Sequence, residues 1–307
     1  MLRKIKNLPR AIDWYFSKLV LGKKYIKRPL KYFDMYLDLD VKGISRTLAF
    51  YKTREEDMVQ VIQEYLKKDM IVVDCGSNIG FYPLLEAEIL KGSGKIFAIE
   101  PDKRNFKMLE KNIELSKYGS IIKARNIAVS NKTGNEKMYV ATQSNLNKLY
   151  SADDKDFIQR HGVEKSVDVE TITLDDFCAK EKVQVDFLRM DIEGYEVEVF
   201  QGMRDTFKNA KKGFMVLLEL HPHAYSEERS FAKELELLFE QGFNAQVLIS
   251  AGVPIPESFS KLGYKPIREV QDGQFLRGWY ENVKNEDVIG LTCENPKSSR
   301  YILLQKS

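Results

Sequence analysis

Eleven consecutive residues constrain this chain more than any others: Met70-Ile71-Val72-Val73-Asp74-Cys75-Gly76-Ser77-Asn78-Ile79-Gly80. Ile71–Val73 is a short apolar run, as expected of a strand buried on both faces of a parallel sheet. It stops at an acid and then at two glycines, Gly76 and Gly80, and Phe81–Leu90 reads as a helix. Strand, glycine-rich turn and helix together are how a Rossmann-like domain receives a nucleotide. Gly76 lets the backbone turn sharply and lets a ligand approach. Gly80 lets the helix start lie close to the strand, and the free N–H groups there favour a carboxylate or phosphate. A tight turn with no ligand is the plain alternative.

Lys95-Ile96-Phe97-Ala98-Ile99-Glu100-Pro101 reads as a second strand ending in an acid, and a carboxylate there can accept both ribose hydroxyls of an adenosine. Pro101 ends the strand. Asp-x-Gly-x-x-x-Gly followed by Glu-Pro resembles class I S-adenosylmethionine-dependent methyltransferases. With no pyrophosphate to cradle, the third glycine of the dinucleotide fingerprint is not needed. S-adenosylmethionine is therefore the expected cofactor, ahead of a nicotinamide dinucleotide.

A length of 307 residues allows one large α/β domain with additions, and 43% hydrophobic content allows a sizeable core. Three dispersed cysteines, Cys75, Cys178 and Cys293, give neither a disulfide framework nor zinc spacing and point to a reducing compartment. No apolar run approaches a membrane span and no signal peptide is visible, so a cytoplasmic location is expected, with membrane association on the cytoplasmic face as an option. Charge is unevenly distributed. The first 31 residues carry ten basic side chains against one acid, Asp13, whereas the other 276 carry 38 basic and 44 acidic.

Residues 1–50 read as a basic amphipathic helix followed by a β-hairpin. Ile12, Tyr15, Phe16, Leu19 and Val20 share one face of a helix over Ala11–Leu21, bordered by Lys18, Lys23, Lys24, Lys27 and Arg28. The expectation is a helix packed on the catalytic domain with its basic side in water; the alternative is an interfacial helix on an anionic membrane or lipid-linked substrate. Weak alternation over Tyr32–Leu48 suggests the hairpin. Residues 51–307 read as the Rossmann-like domain, with an insertion at about 225–300 before a last strand at Tyr301–Leu304. Helices are expected at Glu55–Lys67, Phe106–Leu115, Glu196–Gly202 and Glu228–Glu240, and strands at Ile121–Ala124, Lys137–Val140, Val167–Ile172, Val185–Met190, Met215–Leu220 and Ala245–Ile249. The polar stretch 141–165 suggests a loop over the site. Residues 250–295 carry no clear pattern. The fold class is α/β: a mainly parallel seven-stranded sheet with helices on both faces.

Ligands of open α/β sheets bind at the carboxyl ends of the strands. Asp74, Glu100, Asn126, Asp191 with Glu193, and Glu219 with His221 collect there, and acids ending apolar runs are costly unless paired or used. Asp74 is expected to organise the turn and the methionine amino group, Glu100 to bind ribose, and Asn126 or Ile127 to lie near the adenine. Asp191 follows the strand that faces the methyl group in this architecture. Methyl transfer from a sulfonium requires chiefly in-line alignment, plus a base for a hydroxyl nucleophile. His221 is one candidate because a free imidazole titrates near neutrality; Asp191 is the other. The plain alternatives are a strand-ending His221 bonded to a carbonyl and a Glu193-Gly194 turn. Asp191, Glu219 and His221 could hold a divalent ion, but a metal is not favoured.

These residues resemble the FkbM family of methyltransferases. The match runs through Val73–Tyr82, Phe97–Asp102, Asn126–Ser130, Thr173–Phe177, Val185–Glu196 and Leu218–Pro222, over roughly residues 50–225. The resemblance implies S-adenosylmethionine and O-methylation, often of a sugar or polyketide hydroxyl. Arg189 departs from the lysine usual before Asp-x-Glu-Gly, and the two are not interchangeable in a tight site. The expected acceptor is a small molecule or a saccharide hydroxyl, with the basic N-terminal segment as a membrane contact and no nucleic acid. The rivals are an NAD(P)-dependent oxidoreductase, disfavoured by the missing G-x-G-x-x-G, a non-catalytic cofactor-binding scaffold, and a nucleic-acid methyltransferase, disfavoured by the acidic core.

Overall fold

The computed structural model describes residues 8–41, 43–141, 148–149, 163–294 and 298–307. Most of the 141–165 stretch expected to cover the site lies outside these residues.

The first element among the described residues is α1 (Leu8–Leu19), followed by the antiparallel pair β1 (Tyr25–Pro29) and β2 (Asp34–Asp38), then α2 (Ile44–Tyr51) and α3 (Glu56–Tyr65). The hairpin thus lies earlier than expected, and Ile44–Leu48 is helical. Ile44 and Leu48 are both buried, and a spacing of four residues fits a strand and a helix equally. Gly43, at φ 106°, ends the extended segment and lets the helix begin.

The central domain alternates strands and helices: β3 (Ile71–Cys75), α4 (Phe81–Leu90), β4 (Lys95–Ile99), α5 (Lys103–Leu115) and β5 (Ile122–Arg125). Asp102 caps α5 by accepting from the backbone N–H groups of Arg104 and Asn105. A small second sheet follows, from β6 (Ala128–Val129), β7 (Gly134–Ala141), β8 (Lys148–Leu149) and β9 (Val163–Ile172), in the order β6-β9-β7-β8. Thr173 caps α6 (Leu174–Glu181). Then come β10 (Phe187–Met190), α7 (Glu196–Gln201), α8 (Arg204–Lys208), β11 (Met215–Glu219), α9 (Phe231–Glu240), β12 (Phe243–Ser250), α10 (Glu257–Lys261), β13 (Arg268–Asp272), β14 (Phe275–Tyr280), α11 (Asn285–Ile289) and β15 (Ser299–Lys306).

The main sheet has the order β13-β14-β12-β15-β11-β10-β3-β4-β5. Strands β11, β10, β3, β4 and β5 pair in parallel, and β15 lies antiparallel between β11 and β12. The expected seven-stranded sheet is present, and β14 and β13 extend it to nine. These two strands come from the stretch that carries no clear pattern in the sequence. They hold through contacts that local alternation does not announce: Val270 and Arg277 form a buried cross-strand pair, and Trp279 is fully buried with the exposed Arg268 stacked 3.7 Å above its ring.

Apolar side chains fill both faces of the sheet, among them Val72, Ile96 and Leu217 on one and Val73, Phe97 and Leu218 on the other. Successive residues of a strand point to opposite faces, so strands buried on both faces read as continuous apolar runs. The N-terminal hairpin is fastened to α5 by Asn112, whose side chain accepts from Tyr36 N–H at 2.7 Å and donates to the Ile79 carbonyl at 2.8 Å. Strand order reverses between β3 and β10, and the crevice at their carboxyl ends is where an open α/β sheet holds its ligand.

Candidate active site

A cavity opens at that reversal point. Cys75, Gly76, Asn78, Ile99, Glu100 and Pro101 form one side, from the turns after β3 and β4. Ala128, Val129, Met138 and Leu149 of the second sheet form an apolar wall. Arg54, Glu55, Asp191, Glu193, Tyr195, Glu219 and Arg300 form the polar side.

On the first side, Glu100 accepts from the backbone N–H groups of Asn78 at 2.8 Å and Asp102 at 2.9 Å. Its burial raises its pKa to about 8 despite those donors. A cofactor hydroxyl donating to Glu100 would favour the ionised carboxylate. Asn78 and Gly76 line the cavity as expected, with Asn78 in the left-handed region at φ 50°. Gly76, at φ 82°, has a reason the sequence does not show: a Cβ there would lie 2.0 Å from the Asp191 backbone carbonyl. The glycine admits the end of β10 rather than a ligand. Gly76→Ala is therefore expected to destabilise the fold by several kcal/mol, because the obstacle is backbone and the torsion is left-handed; an unchanged urea midpoint would refute this account. Gly80, at φ 99°, starts α4 beside Leu109 of α5 and does not itself line the cavity.

Asp74 is fully buried and does not reach the cavity. Its carboxylate accepts from the Ser77 hydroxyl at 2.7 Å and from Arg189 at 3.2 Å. This fits the expected work of organising the turn; the methionine amino group would have to be met by other atoms. Neither Asn126 nor Ile127 lines the cavity. Asn126 donates to the carbonyls of Glu100 and Pro101, at 2.9 and 3.0 Å, and so shapes the turn beneath the apolar wall. Ala128 and Val129, just beyond, take the cavity position.

Arg189 is the hub of the polar side. It is wholly buried on β10, in register with Asp74 of β3. One terminal nitrogen donates to Asp74 and the other to Asp191 at 3.0 Å, while its plane lies 3.5 Å above the Tyr82 ring. Burial works against its charge, but Asp74 and Asp191 outweigh that cost and raise its pKa above the ordinary arginine value. A lysine ammonium could donate to both carboxylates, but it would do so from one nitrogen and without a plane to stack on Tyr82.

A second network comes from residues far apart in the chain. Arg300, at the start of β15, forms an ion pair with Glu219 at 3.1 Å and donates to Glu55 at 3.3 Å. Arg54 pairs with Glu55 at 2.5 Å, and the Tyr82 hydroxyl donates to Glu55 as well. Against the cost of burial, Arg54 and Arg300 hold the Glu55 pKa down to about 2. Burial and the neighbouring Asp191 push Glu219 up to about 7. Glu55 and Glu193 both occupy the left-handed region, at φ 45° and 53°. Non-glycine residues held there cluster at functional sites.

His221 does not line the cavity; it sits behind Glu193. Its Nδ1 lies 2.8 Å from Glu196, which is fully buried, and its Nε2 lies 3.6 Å from Glu193. Burial opposes the charged ring, yet Glu196, Glu193 and Glu219 raise its pKa to about 10. An imidazole enclosed by carboxylates is favoured in its protonated form, and in that form it has no free lone pair with which to accept a proton. Burial among Asp191, Glu219 and Glu196 meanwhile raises Glu193 to about 8 in spite of His221. Glu193 faces the cavity with a pKa suited to accepting a hydroxyl proton. Ligand atoms of Asp191, Glu193 and His221, and of Glu55, Asp191 and Glu219, lie within 4.8 Å of one another. Both sets offer oxygen-rich surroundings, and both are already engaged by Arg189, Arg300 or Glu196.

Arg54, Glu55, Tyr195 and Arg300 escaped the sequence reading. One signal for Arg300 existed: a final strand antiparallel to its neighbours begins at their carboxyl ends. Tyr301 indeed pairs with Glu219. Tyr195 donates to Glu136 at 2.8 Å, tying the site to the second sheet.

A family model, the methyltransferase FkbM domain, matches residues 74–245. Hexuronic acid methyltransferase AglP of Haloferax volcanii is 25% identical over 222 residues, 71% of this chain and 83% of that protein. Among solved structures, methyltransferase FkbM from Methylobacillus flagellatus is 17% identical with a TM-score of 0.35, over 59% of this chain and 45% of that one. An O-methyltransferase from Bacillus cereus in complex with SAH is 9% identical with a TM-score of 0.40, over 82% and 80%.

Proposed function

The chain belongs to the FkbM methyltransferase family, and we propose that it transfers the methyl group of S-adenosylmethionine to a hydroxyl of a saccharide, with an acidic hexose as the favoured acceptor. The observation carrying this reading is the composition of the polar side. Asp191, Glu193 and Glu219 offer acceptors to sugar hydroxyls, and Arg54 and Arg300 offer donors to a sugar carboxylate from the same wall. The similar Haloferax protein is a hexuronic acid methyltransferase, which supports that class.

The cofactor's adenosine would lie against Ile99, Glu100 and Val129, with Glu100 accepting from the ribose hydroxyls. The sulfonium supplies an already activated methyl group. Asp191, fixed by Arg189, orients the acceptor hydroxyl toward it, and alignment contributes most of the rate. Glu193 takes the hydroxyl proton as the oxygen attacks. His221, as an imidazolium held by Glu196, supports the charge of Glu193 and is a positioning residue rather than the base. No step here requires a metal ion.

Two measurements test the reading. Calorimetric titration with S-adenosylhomocysteine should show binding that weakens as pH falls below about 8, because Glu100 must be ionised to accept ribose hydroxyls. Hydrogen bonds to charged groups are worth about 1.5–3 kcal/mol each, so Glu100→Ala should lose roughly 10²-fold in affinity or more. A Glu100→Ala protein that binds as tightly as the parent would remove Glu100 from the cofactor site. An acceptor panel of hexuronates, neutral hexoses, protein and nucleic acid should show transfer to the hexuronates. Transfer confined to protein or nucleic acid would overturn the acceptor class.

A further inference from the structure

We propose that α1 is a docking face for an anionic lipid surface. Leu8, Ile12, Tyr15, Phe16 and Leu19 are spaced i, i+4, i+7, i+8, i+11, which gathers them into one stripe about 100° wide. They are 57%, 61%, 44%, 48% and 74% exposed, and Val20 and Leu21, in the turn that follows, are 65% and 50% exposed. Of the fifteen exposed large hydrophobic residues among the described residues, seven fall in these fourteen positions. They form a patch rather than the scattered exposure normal at a surface.

The stripe points outward because the opposite face holds the helix to the protein. Trp14 and Ser17 are each 3% exposed. Trp14 packs edge-on against Phe50 at 6.0 Å, Arg10 donates to the Phe50 carbonyl at 2.6 Å, and Lys18 donates to the Leu39 carbonyl at 3.0 Å. A helix serving only to cover the domain would turn its apolar stripe inward. Here the contact face is narrow and the stripe is left in water, contrary to the expectation that the stripe packs on the catalytic domain.

Charge selects the occupant. Lys23 and Lys24 are exposed just after the helix, Lys27 is exposed and paired with Asp34 at 3.0 Å, and the first 31 residues hold ten basic side chains and one acid. That acid, Asp13, is paired with Arg28. A second copy of this chain would bring the same basic rim against itself, whereas an anionic headgroup layer meets the rim with opposite charge while its acyl boundary receives the stripe. The inference is independent of the acceptor and of methyl transfer.

The test is co-sedimentation of the full chain with vesicles of phosphatidylglycerol and phosphatidylcholine, or of phosphatidylcholine alone. The anionic vesicles should bind at least tenfold more strongly, and Phe16→Asp with Leu19→Asp should lower that binding at least tenfold. Both side chains are exposed and Trp14 is retained, so the double variant should keep its thermal midpoint and its calorimetric affinity for S-adenosylhomocysteine. Equal binding to both vesicles, equal binding by the double variant, or no vesicle binding by folded protein would overturn the proposal. A concentration-dependent dimer abolished by the double variant, without vesicle binding, would assign the face to a second copy and equally overturn it.

Discussion

Glu193→Gln is expected to lower kcat by roughly 10²–10⁴-fold, the range over which a positioned general base contributes, with little change in cofactor affinity. The sign of the pH dependence follows from its surroundings. Glu193 has its pKa raised to about 8 by burial among Asp191, Glu219 and Glu196, with His221 as the opposing cation. The active form is the carboxylate, so kcat/KM of the parent should rise about tenfold per unit below pH 8 and level off above it. With S-adenosylmethionine held saturating, so that ionisation of Glu100 does not shape the profile, Glu193→Gln should abolish that limb. His221→Gln separates a positioning role from a catalytic one. Removing the imidazolium at 3.6 Å takes away the influence that lowers the Glu193 pKa, so the limb should move to higher pH and persist. If His221→Gln erased the limb while Glu193→Gln kept it, the two roles would have to be exchanged. These profiles are measured as initial rates of methyl transfer to the best acceptor of the panel.

The largest effect on stability is expected at Arg189. Its charge is shared between Asp74 and Asp191, with Glu86 buried nearby and held neutral by burial and by Asp74. Arg189→Met would leave two carboxylates beside one another with no cation. Removing one partner of a buried ion pair costs about 3–5 kcal/mol, a large share of the roughly 5–15 kcal/mol that holds a native protein together. Arg189→Lys keeps the charge but loses the two-nitrogen bridge and much of the stacking on Tyr82, so its loss should be smaller, about 1–2 kcal/mol by the size of a desolvated cation–π contact. Urea denaturation of the three proteins checks the order. A Met variant as stable as the parent would mean that Asp74 and Asp191 are satisfied without the guanidinium. Arg189→Met should also lose methyl transfer even where folded protein is recovered, because Asp191 would no longer be held toward the acceptor.

Much of the fold was legible because buried parallel strands carry their own signal. Ile71–Val73, Phe97–Ile99 and Met215–Leu218 are apolar on both faces, and Phe187–Met190 is too except for the paired Arg189, a pattern that a doubly covered sheet produces. The acids that close these runs marked the site for the same reason, since a charge at the end of a buried strand must be used or paired. Pairing of β13 with β14 was not legible, because it depends on Trp279, Val270 and Arg277 finding burial in a surface made by other segments.

The order of residues along the chain alone determined the α/β architecture, the glycine turn, the acids at the strand ends and the apolar stripe of α1. Each is a local matter of period, torsion or charge within a few residues. Folding in three dimensions settled partnership and direction. Arg300 reaches Glu219 only because β15 runs antiparallel to β11, so that its beginning lies at the other strand's end. His221 is favoured as the imidazolium because Glu196 and Glu193 close on it from a segment some 25 residues earlier, and Gly76 is a glycine because the Asp191 carbonyl occupies the space of a side chain. The stripe on α1 faces water because Trp14, on the opposite side, is the residue that meets Phe50. Periodicity specifies that a helix has an apolar face; the partner available for each face specifies where it points.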